Sequence, residues 1–146
     1  MLELNGLQIN VIAVAVAAVA SFLLGFAWYA AIFAKPWMKE MGYDPKMRPD
    51  GKAMARGVAL LLLGNFLFAW VLAFYLSGWT FIPGSAGIPP AAFALNSALS
   101  VWIGFFLPLH LGRIVWERHS LKLFAINAGY NLISAILVGM ILALWP

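Results

Sequence analysis

The chain lacks cysteine entirely and has few charged residues of either sign. Without cysteine, disulfides, thiolate metal sites and thiol redox chemistry are all excluded. Two histidines alone cannot complete a closed zinc site. Charged residues make up only 10% of the 146 residues and hydrophobic residues 64%, which is more apolar surface than a soluble domain of this size can bury. The composition therefore predicts a membrane protein, in which we expect no metal site, no cofactor and no catalytic residues.

Four long apolar runs dominate the sequence. They predict helices over about residues 9–33, 57–79, 91–115 and 121–145, each long enough to cross the ~30 Å hydrocarbon layer. Pro36 could start a short interfacial helix, Asp50 could cap the second helix, and Pro108 should bend the third. No basic residue precedes the first run, which is also longer than the apolar region of a secretory signal, so we expect it to be retained. The predicted fold class is all-α: an integral membrane bundle of four transmembrane helices in a single domain, residues 1–146.

The positive charges are confined to one border of this bundle. They lie between helices one and two or flank the turn between helices three and four, so the positive-inside rule predicts cytoplasmic loops and both termini outside. We expect this border to attract anionic lipid heads, at about 1 kcal/mol per basic residue. No nucleic-acid recognition motif accompanies the charge, and we expect no nucleic-acid partner. The nine basic residues are Lys35, Lys39, Lys46, Arg48, Lys52, Arg56, Arg113, Arg118 and Lys122.

Small residues recur at every fourth position on helices one and three. The two files keep a constant offset, and helices two and four match at a shorter one, which predicts two repeated helical hairpins of the same orientation. Because lipid tails are as apolar as leucine, membrane helices associate where small residues allow close approach. We therefore expect both files to pack in the bundle, with Ser21, Gly25, Ser100 and Gly104 as packing residues; alternatively, part of a file faces another subunit or a ligand. The files are Ala13, Ala17, Ser21, Gly25 and Tyr29 in helix one, and Ala92, Asn96, Ser100, Gly104 and Pro108 in helix three.

Polar side chains within the spans concentrate in the half near the basic border. We expect Tyr29, Asn65, Asn127, Asn131 and Ser134 to form one hydrogen-bonded cluster. The first interpretation is polar contacts that hold helices together, each worth about 0.6 kcal/mol. The alternative is a small-molecule site near the inner border.

His110 and Arg113 lie three residues apart, on the face of helix three that points away from its small file. The arginine can extend to the lipid headgroups, which would explain it without any specific function. Together, the two residues could bind a lipid phosphate or the acidic group of a partner. Most tryptophans, Trp28 and Trp37 among them, are interpreted as interfacial anchors, and Trp102 as a packing residue.

Two segments carry a resemblance to a known family. They are GFAWYAAIFAKPWMKEMG, from Gly25, and INAGYNLISAILVGMILALW, from Ile126. Both resemble a small family of four-helix bacterial membrane proteins that is known as a domain of unknown function. The resemblance implies the four-helix topology and a place in the bacterial inner membrane, and it implies no activity.

Two functional hypotheses follow from these residues. The first is an interaction or accessory subunit that self-associates or packs in a larger membrane complex, since small-residue faces are abundant and no catalytic set is present. The alternative is a binder or transporter of a small molecule or lipid that uses the asparagine cluster. We do not expect an enzyme, because the spans contain no acidic residue and no serine and histidine at a spacing that can be placed.

Overall fold

Four helices of the chain are long and apolar enough to cross a membrane. The computed structural model describes residues 2–4, 7–44, 50–85 and 87–145; two of the basic residues, Lys46 and Arg48, lie outside the described residues. The predicted all-α fold with four long apolar helices, as in a multi-pass membrane protein, is therefore confirmed. The four spans are Val11–Ile32, Gly51–Gly78, Pro90–Trp116 and Leu121–Ala143.

Local sequence explains where the spans begin. Asn10 accepts hydrogen bonds from the backbone N–H groups of Ile12 and Ala13, at 3.0 and 3.2 Å, and so caps the first span. Ser120 does the same for the fourth span through the N–H of Leu123, at 3.1 Å. Asp50 directly precedes the second span, but its side chain makes no capping hydrogen bond. That span begins well before the predicted residue 57, because the residues after Asp50 include good helix formers between the basic ones.

Four short elements of the described ranges lie outside the spans, one of which is a 3-10 turn at Trp79–Phe81 directly after the second span. Strands Leu2–Leu4 and Leu7–Ile9 form a small antiparallel pair that the sequence did not indicate. Ala34–Glu40, hereafter the border helix, follows the first span and contains Pro36, as the sequence suggested. Its Glu40 accepts a hydrogen bond from the Ser120 hydroxyl at 2.6 Å, which ties the border helix to the start of the fourth span.

The first and third spans each contain a π turn, in which backbone bonds reach one residue further than in an α-helix. The turn in the first span is Trp28–Ile32, where it follows the α-helix Val11–Ala27. The turn in the third span is Trp102–Phe106, directly before Leu107 and Pro108. Since Pro108 has no N–H to donate, the helix irregularity predicted there takes the form of a π turn just upstream.

The spans pack as two hairpins around a core of small and branched residues. The first span packs most extensively on the second and the third on the fourth; the first also packs on the fourth. Two glycines allow close approach to the fourth span: a Cβ at Gly139 would lie 3.2 Å from the carbonyl oxygen of Ala94, and a Cβ at Gly25, predicted as a packing residue, would lie 3.0 Å from the hydroxyl oxygen of Tyr130. The core includes Val14, Ala17, Ala69, Leu72 and Val138.

The packed face of the third span differs from the prediction. Ser100 and Gly104 are exposed, as is the rest of their file, so the prediction that they pack inside the bundle is wrong within the described chain. The buried residues are instead Ala94, Ser97 and Ala98. The third span therefore has two stripes of small residues, and only one of them packs in the bundle. Burying the predicted stripe would also have buried the side-chain amide of Asn96. In the first span the file does face the core, with Ala13, Ala17 and Ser21 buried.

Candidate functional site

A cavity of about 420 Å³ lies at the basic end of the bundle, where the first and third spans end and the fourth begins. It exists because the first and third spans both pack on the fourth while, among the described residues, they make little contact with each other. The border helix contributes Trp37 to its wall. The cavity is lined by Tyr29, Trp37, Met41, His110, Arg113, Glu117, His119, Asn127 and Asn131.

Tyr29 and Asn127 form the contact between the first and fourth spans in this cavity. Tyr29 stands in the π turn of the first span, and its hydroxyl donates to Oδ1 of Asn127 at 3.1 Å. This contact fixes the orientation of the amide and leaves both Nδ2 protons of Asn127 for another acceptor. The described part of the chain supplies no protein acceptor for them.

His110 and Asn131 join the third span to the fourth. His110 is buried, with 5% of its surface exposed, and its Nε2 lies 2.7 Å from Nδ2 of Asn131. An amide nitrogen can only donate, so Nε2 of His110 accepts and the ring proton belongs on Nδ1. Residues that the sequence placed in separate groups, Asn131 and His110, therefore form one contact.

The cavity also carries one arginine and one carboxylate. The Arg113 Nε and Glu117 Oε1 atoms are 3.9 Å apart, and Nε2 of His119 lies 3.1 Å from the other Glu117 oxygen. The chain reverses at Arg118, whose φ of 54° is in the left-handed region, and the His119 N–H donates to the Arg113 carbonyl at 3.3 Å. This reversal brings His119 back toward Arg113, whereas Glu117 is already near the guanidinium because it follows Arg113 by one helical turn.

A second polar group is closed and lies deeper in the bundle. Ser21 donates to Oδ1 of Asn65 at 3.1 Å, and Ser134 therefore donates to Ser21 at 2.7 Å. The single cluster expected from the sequence is thus divided: Tyr29, Asn127 and Asn131 line the cavity, whereas Asn65 and Ser134 bond to Ser21. Ser134 lies two helical turns beyond Asn127, about 10 Å along the axis, which is too far for a direct hydrogen bond between the two side chains.

Two tryptophans hold the fourth span on either side of Asn127. The Trp28 indole donates to the carbonyl of Ile126 at 3.0 Å, and the Trp102 indole donates to the carbonyl of Ala128 at 2.8 Å. Each is the first residue of a π turn. Interpreting Trp28 as an interfacial anchor and Trp102 as a packing residue missed these two contacts, which position the backbone that presents Asn127.

Four lining residues were not singled out as site residues from the sequence: Trp37, Met41, Glu117 and His119. A signal for Glu117 was present, because it follows Arg113 by one helical turn and its charge can meet the guanidinium. Nothing comparable marks Trp37 or Met41, since only the tertiary placement of the border helix brings them to the cavity. In the described ranges, no three histidine, aspartate or glutamate side chains come together as metal ligands would.

Comparison with known proteins gives one match. The model of a family described as a protein of unknown function (DUF1761) matches residues 12–143. No curated protein and no solved structure matches the chain.

Proposed function

The chain belongs to the DUF1761 family, whose description assigns no activity, and we propose from the geometry that it is a membrane protein that binds a small amphiphilic molecule at its basic end. The cavity between the first, third and fourth spans is the observation that carries this proposal. Its volume, about 420 Å³, is within the range of small-molecule pockets. By the positive-inside rule, the binding site would face the cytoplasmic leaflet.

The polar residues around Ser21 and those that line the cavity differ in their hydrogen bonding, and this difference favours ligand binding over simple helix association at the cavity. Polar side chains inside a membrane normally pair with one another, and the hydroxyl of Ser21 does so with Asn65 and Ser134. In the cavity, by contrast, the described residues supply no protein acceptor for the Nδ2 protons of Asn127, and the one carboxylate that they place near the Arg113 guanidinium is that of Glu117, at 3.9 Å. These unused donors would be satisfied by a bound molecule.

The surroundings of the cavity favour an amphiphile. Among the described residues the first and third spans make little contact with each other, and we infer that a molecule can enter between them from the lipid as well as from the border. Its wall combines charged groups with the aromatic pair Tyr29 and Trp37, whose rings lie 5.3 Å apart. The polar head of an amphiphile would contact the charged groups of the wall, and its apolar tail would remain in the lipid.

The proposal is tested by native mass spectrometry of protein released gently from its own membrane. We expect the wild type to carry a discrete small-molecule mass, and Asn127→Leu and Asn131→Leu to lose it. Asn65→Leu is the matched control, because Asn65 is a partly buried asparagine in a span that bonds to Ser21 and lies outside the cavity. An adduct that persists in both cavity variants would overturn the proposal.

A second function, an interaction subunit that self-associates, is favoured by the exposed file of the third span. Asn96 is exposed within this span, and its only described side-chain partner is the Ser100 hydroxyl, at 3.3 Å. Small neighbours such as Gly104 would let a second helix approach closely enough to meet that amide. The same spectra should then show a dimer that Gly104→Leu dissociates, while Gly64→Leu, at an open position of the second span, leaves it intact. A wild type that is only monomeric would exclude self-association.

A further inference from the structure

Resting on the proposed binding role, we propose that the head group bound in the cavity is a zwitterion. Its oxyanion, a phosphate, contacts Arg113, and its ammonium group contacts Glu117. This inference names the chemical class of the ligand, whereas the proposed function requires only that some amphiphile binds there.

The charges of the lining favour an electroneutral head over a simple anion. Arg113 and Glu117 both line the cavity and are the only arginine and carboxylate among the lining residues. A simple anion would neutralise Arg113 but would bring a second negative charge close to Glu117, whose carboxylate lies 3.9 Å from the guanidinium. A zwitterion gives each of the two protein charges an opposite partner, so neither has to be displaced.

The oxyanion end has donors in place. The separation of 3.9 Å between Arg113 Nε and Glu117 Oε1 is too long for a hydrogen bond, so the guanidinium donors remain open. A guanidinium binds a phosphate through two parallel N–H donors. The amide of Asn127, held by the Tyr29 hydroxyl, adds further N–H donors from the fourth span.

The ammonium end has a carboxylate and aromatic rings. Glu117 has one oxygen near Nε2 of His119, at 3.1 Å, and its second oxygen is not within hydrogen-bond distance of Arg113. Tyr29 and Trp37 also line the cavity, and an aromatic face within reach of the ammonium group would attract it. A primary ammonium suits this end better than a quaternary one, because only the primary group can donate a hydrogen bond to Glu117.

The same head-group chemistry occurs in a zwitterionic lipid and in a free phosphoethanolamine. The gap between the first and third spans favours the lipid, whose chains can stay in the bilayer while its head enters from the side.

The test is a native mass-spectrometry titration of the full chain with short-chain phosphatidylethanolamine, phosphatidylglycerol and phosphatidylcholine. We expect the wild type to bind phosphatidylethanolamine about tenfold more tightly than the other two, the scale of one charge-assisted hydrogen bond. Glu117→Gln should abolish this preference without weakening phosphatidylglycerol binding, and Arg113→Gln should weaken all three lipids about tenfold. Arg118→Gln is the matched control, since it removes a positive charge from the same turn outside the cavity, and it should leave the affinity for the two zwitterionic lipids and the preference for phosphatidylethanolamine unchanged.

The outcomes separate the two proposals. A wild type that prefers phosphatidylglycerol, or a Glu117→Gln variant that retains the wild-type preference, overturns the zwitterion even if a native adduct depends on Asn127. The binding function itself is overturned if the protein released from its native membrane carries no adduct and the titration shows no binding of any of the three lipids. Displacement of the lipid by equimolar free phosphoethanolamine supports the zwitterion and assigns it to a soluble source.

Discussion

Replacing Gly139 with alanine tests the tightest contact between the third and fourth spans. The new Cβ would lie 3.2 Å from the carbonyl oxygen of Ala94 and 3.7 Å from its Cα and carbonyl carbon. Because Ala94 is fully buried and the atoms concerned belong to its backbone, no side-chain rotation can relieve the clash. The third span must shift by a few tenths of an ångström, and overpacking of this kind costs about 1–3 kcal/mol.

Alanine also has a higher helix propensity than glycine, by up to about 1 kcal/mol, and this gain works against the clash. Gly64→Ala is therefore the control, because a Cβ at Gly64 would have no neighbour within 4 Å and should show the propensity gain alone. We expect the unfolding free energy of Gly139→Ala to be about 1–3 kcal/mol below that of Gly64→Ala. The assay is reversible unfolding in mixed micelles with increasing sodium dodecyl sulfate, followed by tryptophan fluorescence. Equal or greater stability of Gly139→Ala would refute the inferred close approach.

Further predictions use the same unfolding assay or a topology assay. Ser21→Ala removes one buried and one partly buried hydrogen bond and should cost about 1 kcal/mol at about 0.6 kcal/mol each. A double-mutant cycle with Ser134→Ala should reveal the coupling of the two serines, and additivity would contradict it. Trp28→Phe and Trp102→Phe keep an aromatic side chain but lose the indole N–H, so each should destabilise the protein by about 1 kcal/mol. Wild-type stability would argue against the hydrogen bonds to Ile126 and Ala128. Arg118→Gly should stabilise by up to about 1 kcal/mol because it relieves a left-handed backbone, and Arg118→Val should do the opposite. Reporter fusions at both termini should give an extracytoplasmic signal, and a cytoplasmic signal from either one would reverse the proposed orientation.

The spans could be predicted from the sequence because a long apolar run allows few alternatives in a membrane. The faces on which they pack were harder to predict. In the first span one small-residue file is available and three of its five residues are buried, but the third span has a second stripe through Ala94 and Ala98 that competes with the file of Ser100 and Gly104. Spacing alone cannot decide between two stripes, since the choice depends on the shape of the neighbouring helix.

The candidate site could be predicted only in parts. The sequence places Tyr29 and Asn127 in the same group, and the two do form a hydrogen bond. The contact between His110 and Asn131 depends on how the third span is placed on the fourth, which no periodicity within either helix reports. The cavity itself forms because the first and third spans make little contact with each other, and no residue pattern in the sequence indicates such a gap.

The π turn at Trp102–Phe106 divides the third span into a first section that packs through Ala94 and Ala98 and a second section that carries His110 and Arg113. One residue of an α-helix corresponds to about 100° of rotation, so an uninterrupted helix would present the second section at a different angle to the fourth span. His110 would then be directed away from Asn131. Loss of a single residue within Trp102–Phe106 would rotate both cavity residues together while every side chain remained present. The site is consequently more vulnerable to a one-residue deletion in this turn than to most substitutions around it.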